Sequence, residues 1–413
     1  MQRKSLLIIG AVWVEPNSSA AGKRMLQLIA QFLERDYTIT FASPAQKSEK
    51  AIDLSSLGVA EVVIQLNNAS FNLFIAQLQP NIVLFDRFMM EEQFGWRVAE
   101  NCPEALRILD TEDLHCLRKT REVCSKQHVP FSVDALLKQD LTKREIAAVL
   151  RCDLSLIIST FEMELLTNTF KISEDILMYL PFLFDKITAP QQEKWKSFAQ
   201  RTDFIFIGNF FHKPNVDAVL TLKNKIWGPL RTLLPTAEIH IYGAYVNQQI
   251  QELHNKKEGF IIKGFVANAN EVVENAKVVL APLNFGAGIK GKLTEAMLCG
   301  TPSVTTAIGA EGMAGTFPWN GAITDDFSVF ISKASELFCN EVLWSQAQLN
   351  GIEIINSIYC KEKNGTLFFN KIEKIQPDLE AHRANNFLGS LLQHQSLQAT
   401  KYMSKWIEEK NKV

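Results

Sequence analysis

The stretch Val278-Val-Leu-Ala-Pro-Leu-Asn-Phe-Gly286-Ala-Gly288-Ile-Lys290-Gly291-Lys292-Leu-Thr-Glu295-Ala-Met-Leu-Cys-Gly300-Thr-Pro302 reads as strand, glycine loop and helix. Val278–Ala281 is an apolar strand run, and Lys292–Cys299 has helical spacing. A glycine loop entering a helix offers unpaired backbone N–H groups and the positive end of the macrodipole, which together make an anion site. Gly288 and Gly291 carry no side chain to block a phosphate, and Lys290 and Lys292 add two charges. The plain alternative is a tight turn packing helix on sheet; two lysines in the loop argue against it.

Three nucleotide motifs compete for this loop. Gly286-x-Gly288-x-x-Gly291 satisfies the dinucleotide fingerprint, with Glu311 lying 20 residues past Gly291. That acid should end the next strand, yet Glu311 falls beyond Ser303–Thr305 and past the turn at Ala307-Ile308-Gly309. Gly286-x4-Gly291-Lys292 matches a P-loop except at Leu293, where a Ser or Thr should hold Mg²⁺. In the third reading the loop takes the diphosphate of a nucleotide-sugar, and Glu295, one turn into the helix, accepts from two adjacent ribose hydroxyls.

Outward from the loop, strands alternate with helices, which predicts βαβ units and parallel sheets. Phe204–Ile207, Glu238–Tyr242, Phe260–Ile262, Val278–Ala281 and Ser303–Thr305 are strands of one domain, with helices at Val216–Leu230 and Asn270–Asn275. Upstream, Leu6–Val14, Tyr37–Ala42, Val62–Ile64, Ile82–Phe85, Leu106–Leu109 and Leu154–Ile158 are strands of another, with helices at Gly22–Glu34, Glu91–Asn101 and Lys143–Leu150. The fold class is α/β: an N-terminal domain over 1–185, a second over 200–365 and a helical tail over 366–413, with Tyr179–Arg201 as the connection. Two doubly wound domains facing one another leave a cleft at the C-terminal ends of both sheets, where ligands of such sheets bind.

Composition narrows the function. With 413 residues and 47% hydrophobic content, the chain has material for two cores, and neither disorder nor a collagen-like repeat fits. Lys+Arg of 43 against Asp+Glu of 45 gives no basic field for nucleic acid. Seven scattered cysteines form no C-x-x-C, and the seven histidines show no metal spacing, so no resident metal is expected. Apolar runs such as Leu6–Val14 are too short to span a bilayer. Arg3 and Lys4 before that run imitate a secretory signal, but Glu15 and Pro16 interrupt the path to a cleavage site; the expectation is a cytoplasmic protein.

The segment APLNFGAGIKGKLTEAMLCGTPSVTTAIGAEGM, Ala281–Met313, resembles the donor-site region of GT-B-fold, family 4-like retaining glycosyltransferases (glycosyl transferases group 1). Phe206-Ile-Gly208-Asn209 with Pro214-Asn215 resembles the strand–loop–helix that opens their C-terminal domain. Lys263-Gly264-Phe265-Val266 resembles the turn whose backbone contacts the base. Glu15-Pro16-Asn17 with Gly22-Lys23-Arg24 resembles their first glycine-containing loop, and Cys152-Asp153 with Ser159-Thr-Phe-Glu162 the end of the N-terminal domain. The resemblance implies the GT-B architecture, with a C-terminal helix crossing back. It also implies retaining, metal-independent transfer of a hexose-type sugar from a nucleotide-diphosphate donor to a glycan, lipid or protein acceptor. Glu295 matches the second Glu of the family's Glu-x7-Glu pair; at the first stands Ala287. Sugar recognition then falls to other groups, such as the amides of Phe285–Ile289, with Gly286, Gly288 and Ile289 among the donor-binding residues. Where the family often carries an Arg and a Lys for the diphosphate, this chain has Asn209 and Pro214, and Lys290 and Lys292 are the replacements, with Lys213 a weaker candidate. A catalytically idle binding or scaffold protein of the same fold is the alternative that Ala287 supports.

On the acceptor side, polar loops follow apolar strands: Asp86-Arg87, and Asp110-Thr-Glu112-Asp113-Leu-His115. Two readings stand for the second loop. Glu112 and His115, with Asp110 and Asp113, orient an acceptor hydroxyl or contact donor phosphate; or Asp110 or Thr111 caps a helix exposing Arg118 and Arg121. Gly22 and Arg24 belong to the same side, Arg24 either contacting phosphate or acceptor or lying solvated. His212 reads as structural or surface. In the tail, Leu388, Leu391, Leu392, Tyr402, Trp406 and Ile407 make apolar stripes expected to pack on the N-terminal domain. Lys401, Lys405, Lys410 and Lys412 opposite them leave a partner or peripheral membrane contact as the alternative.

Overall fold

Apolar strands separated by helix-length segments can pair in parallel only through crossovers, and the chain does this twice. The computed structural model describes residues 4–394, 400, 402–404, 406, 407 and 410. The expectations on Arg3, Lys401, Lys405 and Lys412 lie outside the described residues. The first sheet comprises β1 (Ser5–Ile9), β2 (Thr38–Ser43), β3 (Ala60–Val63), β4 (Ile82–Asp86), β5 (Leu106–Asp110), β6 (Leu154–Ile157) and β7 (Leu177–Tyr179), in the order β3-β2-β1-β4-β5-β6-β7. The second comprises β8 (Thr202–Ile207), β9 (Ile239–Tyr242), β10 (Phe260–Gly264), β11 (Ala276–Ala281), β12 (Ser303–Thr305) and β13 (Gly321–Ile323), in the order β10-β9-β8-β11-β12-β13. Every pairing is parallel.

Parallel strands are buried on both faces, so side chains alternate between two cores. In β1, Leu7 and Ile9 enter one cluster with Val83 and Phe85, while Leu6 and Ile8 enter the other with Leu84 and Ile108. The strand order reverses between β1 and β4 and again between β8 and β11, giving each domain one crevice at its strand ends.

Seven helices matter below: α1 (Ala20–Leu33), α2 (His115–Lys126), α3 (Asp140–Arg151), α4 (Lys213–Thr221), α5 (Gly291–Leu298), α6 (Lys361–Ile375) and α7 (Phe387–His394). α6 carries the chain back to the first domain, where Phe368 and Phe369 meet Phe32 of α1 at ring separations of 5.7 and 5.0 Å. α7 docks on α3 by close approach rather than by its leucines. A Cβ at Gly389 would stand 2.1 Å from the Leu150 carbonyl oxygen, and Asn386 Nδ2 donates to that oxygen at 2.7 Å. Leu388 and Leu391 are 58% and 54% exposed, and Tyr402, Trp406 and Ile407 are exposed too, which corrects the expectation that these stripes enter a core. Among the described residues, no helix is long and apolar enough to cross a membrane.

Candidate functional site

The loops after β1, β4, β5, β8 and β11 converge on a cleft of about 460 Å³ between the two sheets. Helix starts meet there. α5 opens at Gly291, with Lys290 at its cap position and no side chain capping it; α4 opens behind His212, also without a side-chain cap. α1, from the other domain, is capped by Ser19. A Cβ on Gly291 would lie 2.7 Å from Ala20 Cβ, so the absent side chain is what lets the ends of α1 and α5 face each other. Among the described residues, no backbone group accepts from the amides of Ile289, Lys290, Gly291 or Lys292. The starts of α5 and α4 both border this space, and the residues at 289–292 line it.

Of the loop lysines beside it, Lys290 is buried and Lys292 half-buried. Lys290 Nζ donates to the Gly288 carbonyl at 2.8 Å, and Lys292 Nζ to Asn215 Oδ1 at 2.6 Å. Burial pulls the Lys290 ammonium down to about 8, and burial together with Lys290 pulls Lys292 down to about 7. Glu295 also lines the cleft, and Lys23 of α1 reaches across the domains to pair with it. Gly208, Asn209, Phe265, Val266, Gly286 and Ile289 line the cleft as well. Asn209 Nδ2 donates to the Ser18 carbonyl at 3.1 Å.

Several expected site residues turn out to be framework. Gly288 is left-handed (φ +61), and its amide donates to Glu162 Oε1 at 2.9 Å, so it is not free for phosphate. Gly264 (φ +79) turns the chain at the end of β10 and stays outside the cleft lining. Gly22 packs on the Glu15 backbone, where a Cβ would come within 2.3 Å of the Glu15 oxygen. Arg24 neither contacts the cleft nor lies solvated: it is 1% exposed, gripping Asp110 at 2.9 Å and the Leu180 carbonyl at 2.7 Å. Asp110 is therefore an internal counter-ion and no helix cap. Asp86 is buried too, accepting from the Ala11 amide at 3.1 Å and flanking Arg87 at 3.3 Å; Arg87 itself lines the cleft.

The cap of α2 comes instead from Glu145, which accepts from the His115 and Cys116 amides at 3.0 and 2.7 Å. Arg118 and Arg121 are not on an exposed face. Arg118 binds Asp113 at 2.6 Å, and Arg121 crosses the cleft to Glu311 with two contacts of 2.7 Å. That pairing uses the acid a dinucleotide site would need, which removes that reading. Glu112, Asp113 and His115 do line the cleft. Burial drives His115 down to about 4, so it is neutral at pH 7. Burial works against the Asp113 charge, but Arg118 and His115 outweigh it and hold the carboxyl below its usual range.

Sequence reasoning missed His212, which lines the cleft with burial pulling it down to about 4. It also missed Glu15, which accepts from Tyr245 of the opposite domain at 2.9 Å. Tyr245 carries a left-handed backbone (φ +59), the one local sign that could have marked it, and that sign is conformational. Among the described residues, no group of three or more His, Cys, Asp or Glu is placed to hold a metal ion.

Residues 201–340 match the family model for Glycosyl transferases group 1. No curated protein matches the chain. Solved structures superpose over nearly its full length. Sucrose-phosphate synthase from Thermosynechococcus elongatus, at 15% identity, aligns over 90% of this chain and 99% of its own with a TM-score of 0.65. TarM of S. aureus, solved with fondaparinux, alpha-GlcNAc-glycerol and UDP, aligns at 11% identity over 89% and 99% with a TM-score of 0.68. HepE of Anabaena, solved with UDP and glucose, aligns at 13% identity over 90% and 100% with a TM-score of 0.64. The GT-B resemblance read from the glycine loop is borne out: facing parallel sheets of seven and six strands give the fold of these glycosyltransferases. The family match and the fold together support sugar transfer.

Proposed function

We propose that the chain transfers a hexose-type sugar from a nucleotide-diphosphate donor, with retention at the anomeric carbon, to a glycan, lipid or protein acceptor held by the first domain. The observation that carries this reading is the meeting of the α1 and α5 starts beside two lysines whose ammonium groups donate to the Gly288 carbonyl and to Asn215 rather than to a carboxylate. A diphosphate is the group that fits: it accepts from the amides of Ile289–Lys292 and neutralises both ammonium ions. As the bond from the sugar to the diphosphate breaks, negative charge grows on the leaving oxygen. Donors already aimed there stabilise that charge without rearranging. This charge stabilisation comes from the protein's own groups, and the reading calls for no metal. Glu295 takes the ribose hydroxyls once Lys23 releases it. Phe265 and Val266 lie along the same wall, where the base fits. The UDP complexes of TarM and HepE support a uridine donor as the first to try.

The test is thermal stabilisation by UDP, GDP, ADP, CDP and their sugar conjugates. One nucleotide series should raise the melting temperature of the wild type, and Lys290→Ala combined with Lys292→Ala, or Glu295→Ala, should abolish the rise. A shift that survives in both variants would put the ligand elsewhere. The alternative, an idle binding protein of the same fold, is favoured by Ala287; steady hydrolysis of the bound nucleotide-sugar would exclude it.

A further inference from the structure

A second cavity, of about 240 Å³, lies at the end of the first sheet away from the cleft, where β5 and β6 begin. Arg107 on β5, Asp153 just before β6, and Arg151 at the end of α3 line it. Arg383, on the short helix Leu379–Asn385, and Gly389 and Ser390 near the start of α7 line it from the returning chain.

Three arginines meet two acids here, and the pairing leaves one arginine over. Asp153 is taken by Arg383, which donates from Nε and Nη2 at 2.8 Å each, and by the Arg107 backbone amide at 2.8 Å. Glu91 is taken by Arg151, through Nε at 2.8 Å and through Nη2. The Arg107 guanidinium has one contact, from Nη2 to Asp153 at 3.5 Å, although the residue is only 7% exposed. Among the described residues no group accepts from its Nε or its Nη1; Nε is shielded from water and Nη1 is not. A cation withdrawn this far from water is costly unless an anion faces it.

The helix ends around the cavity agree with an anion. The last carbonyls of α3 would repel one, but Asn386 Nδ2 covers that of Leu150 at 2.7 Å and Gln393 Nε2 that of Arg151 at 3.2 Å. α7 starts at the same space and turns the positive end of its dipole toward it. Arg151 Nη1 has no protein acceptor either. Donors therefore come from a strand, a helix end and a helix start. A tetrahedral oxyanion can meet all three, whereas the two coplanar oxygens of a carboxylate suit a single guanidinium fork.

We propose that this cavity binds a phosphate group, free or carried on a small molecule, and so fastens the chain beyond α6 to the first domain. The inference does not depend on what the cleft takes. The test is titration calorimetry at constant ionic strength with inorganic phosphate, glycerol 3-phosphate and acetate. It uses Lys290→Ala combined with Lys292→Ala, so that the cleft lysines do not compete. Phosphate should bind this protein, and acetate should not; the tighter of the two phosphates identifies a free or a carried group. Adding Arg107→Met should weaken phosphate binding about 10- to 100-fold, the worth of charge-assisted hydrogen bonds. The fold should tolerate that change, because Asp153 keeps Arg383 and the backbone amide of residue 107. Arg107→Lys, which keeps the charge and loses the fork, should weaken binding less and stands in if the methionine variant does not fold. Phosphate should also slow amide hydrogen exchange over residues 379–394 in the wild type. Undiminished phosphate binding in the residue-107 variants overturns the proposal. So does acetate binding as tightly as phosphate, no binding once the two cleft lysines are removed, or unchanged exchange over 379–394.

Discussion

At the residue scale, Lys292 shows a site held at a cost to the fold. Its side chain is half-buried beside a second lysine, and the ammonium's ordinary value near 10.4 falls to about 7. Between these two values the unfolded chain binds the proton and the folded chain does not, so stability rises with pH across that window and is lowest below pH 7. Lys292→Met should therefore raise the melting temperature at pH 6, with the gain shrinking toward pH 10, in scans of both proteins across that range. The same titration governs ligand binding with the opposite trend. A bound diphosphate raises the ammonium again, so affinity for the stabilising nucleotide holds up to about pH 7 and declines above it. Binding at pH 8 should take up a proton, visible in calorimetry as a dependence on buffer ionisation enthalpy. The lysines were legible because a loop entering a helix has a local meaning. Arg24 was not, because its role depends on Asp110 and the Leu180 carbonyl, which are remote in sequence.

At the element scale, the strands other than β7 and β13 could be read, along with the loop-to-α5 junction. β7 and β13, three residues each, were not read: so short a run has no period of its own, as is also true of β12, and neighbours supply its pairing. The helix expected at Val216–Leu230 begins earlier, at Lys213, and loosens into a π-turn over Leu222–Trp227, a change no propensity announces. Two elements carry predictions. Gly291→Ala adds the methyl that would stand 2.7 Å from Ala20 Cβ and force the α1 and α5 starts apart. It should weaken nucleotide binding at least tenfold in calorimetry while shifting the melting temperature by only a few degrees, because the change lies at an interface and outside both cores. Phe368 of α6 lies wholly within the first domain's core against Phe32 and Phe369. Phe368→Ala should cost about 3–5 kcal/mol in denaturant unfolding, as large-to-small changes at such sites do. A loss under 1 kcal/mol would mean that α6 does not hold the two domains together.

At the scale of the whole molecule, the facing of two parallel sheets followed from the repeated strand–helix alternation. The closure between them did not, since its contacts join residues as far apart as Arg121 and Glu311, 190 positions along the chain. Arg121 is 5% exposed and also donates to the Gly286 carbonyl at 2.9 Å, so one side chain from α2 holds both the far domain and its glycine loop. Tyr245 to Glu15 and Lys213 to Glu122, at 2.9 and 3.0 Å, add weaker ties at the rim. Removing Arg121 leaves Glu311 without its counter-ion and the loop carbonyl without a donor, which for a buried pair costs far more than a surface contact. Within each domain nothing else changes, so the loss should appear as opening of the cleft. Arg121→Met, which keeps the apolar stem, should raise the radius of gyration in small-angle scattering without ligand and weaken nucleotide binding, because closure must then be driven by the ligand. Saturating nucleotide should restore the wild-type scattering curve. An unchanged curve for the variant without ligand would show that the rim contacts close the molecule by themselves, and that Arg121 acts on the glycine loop alone.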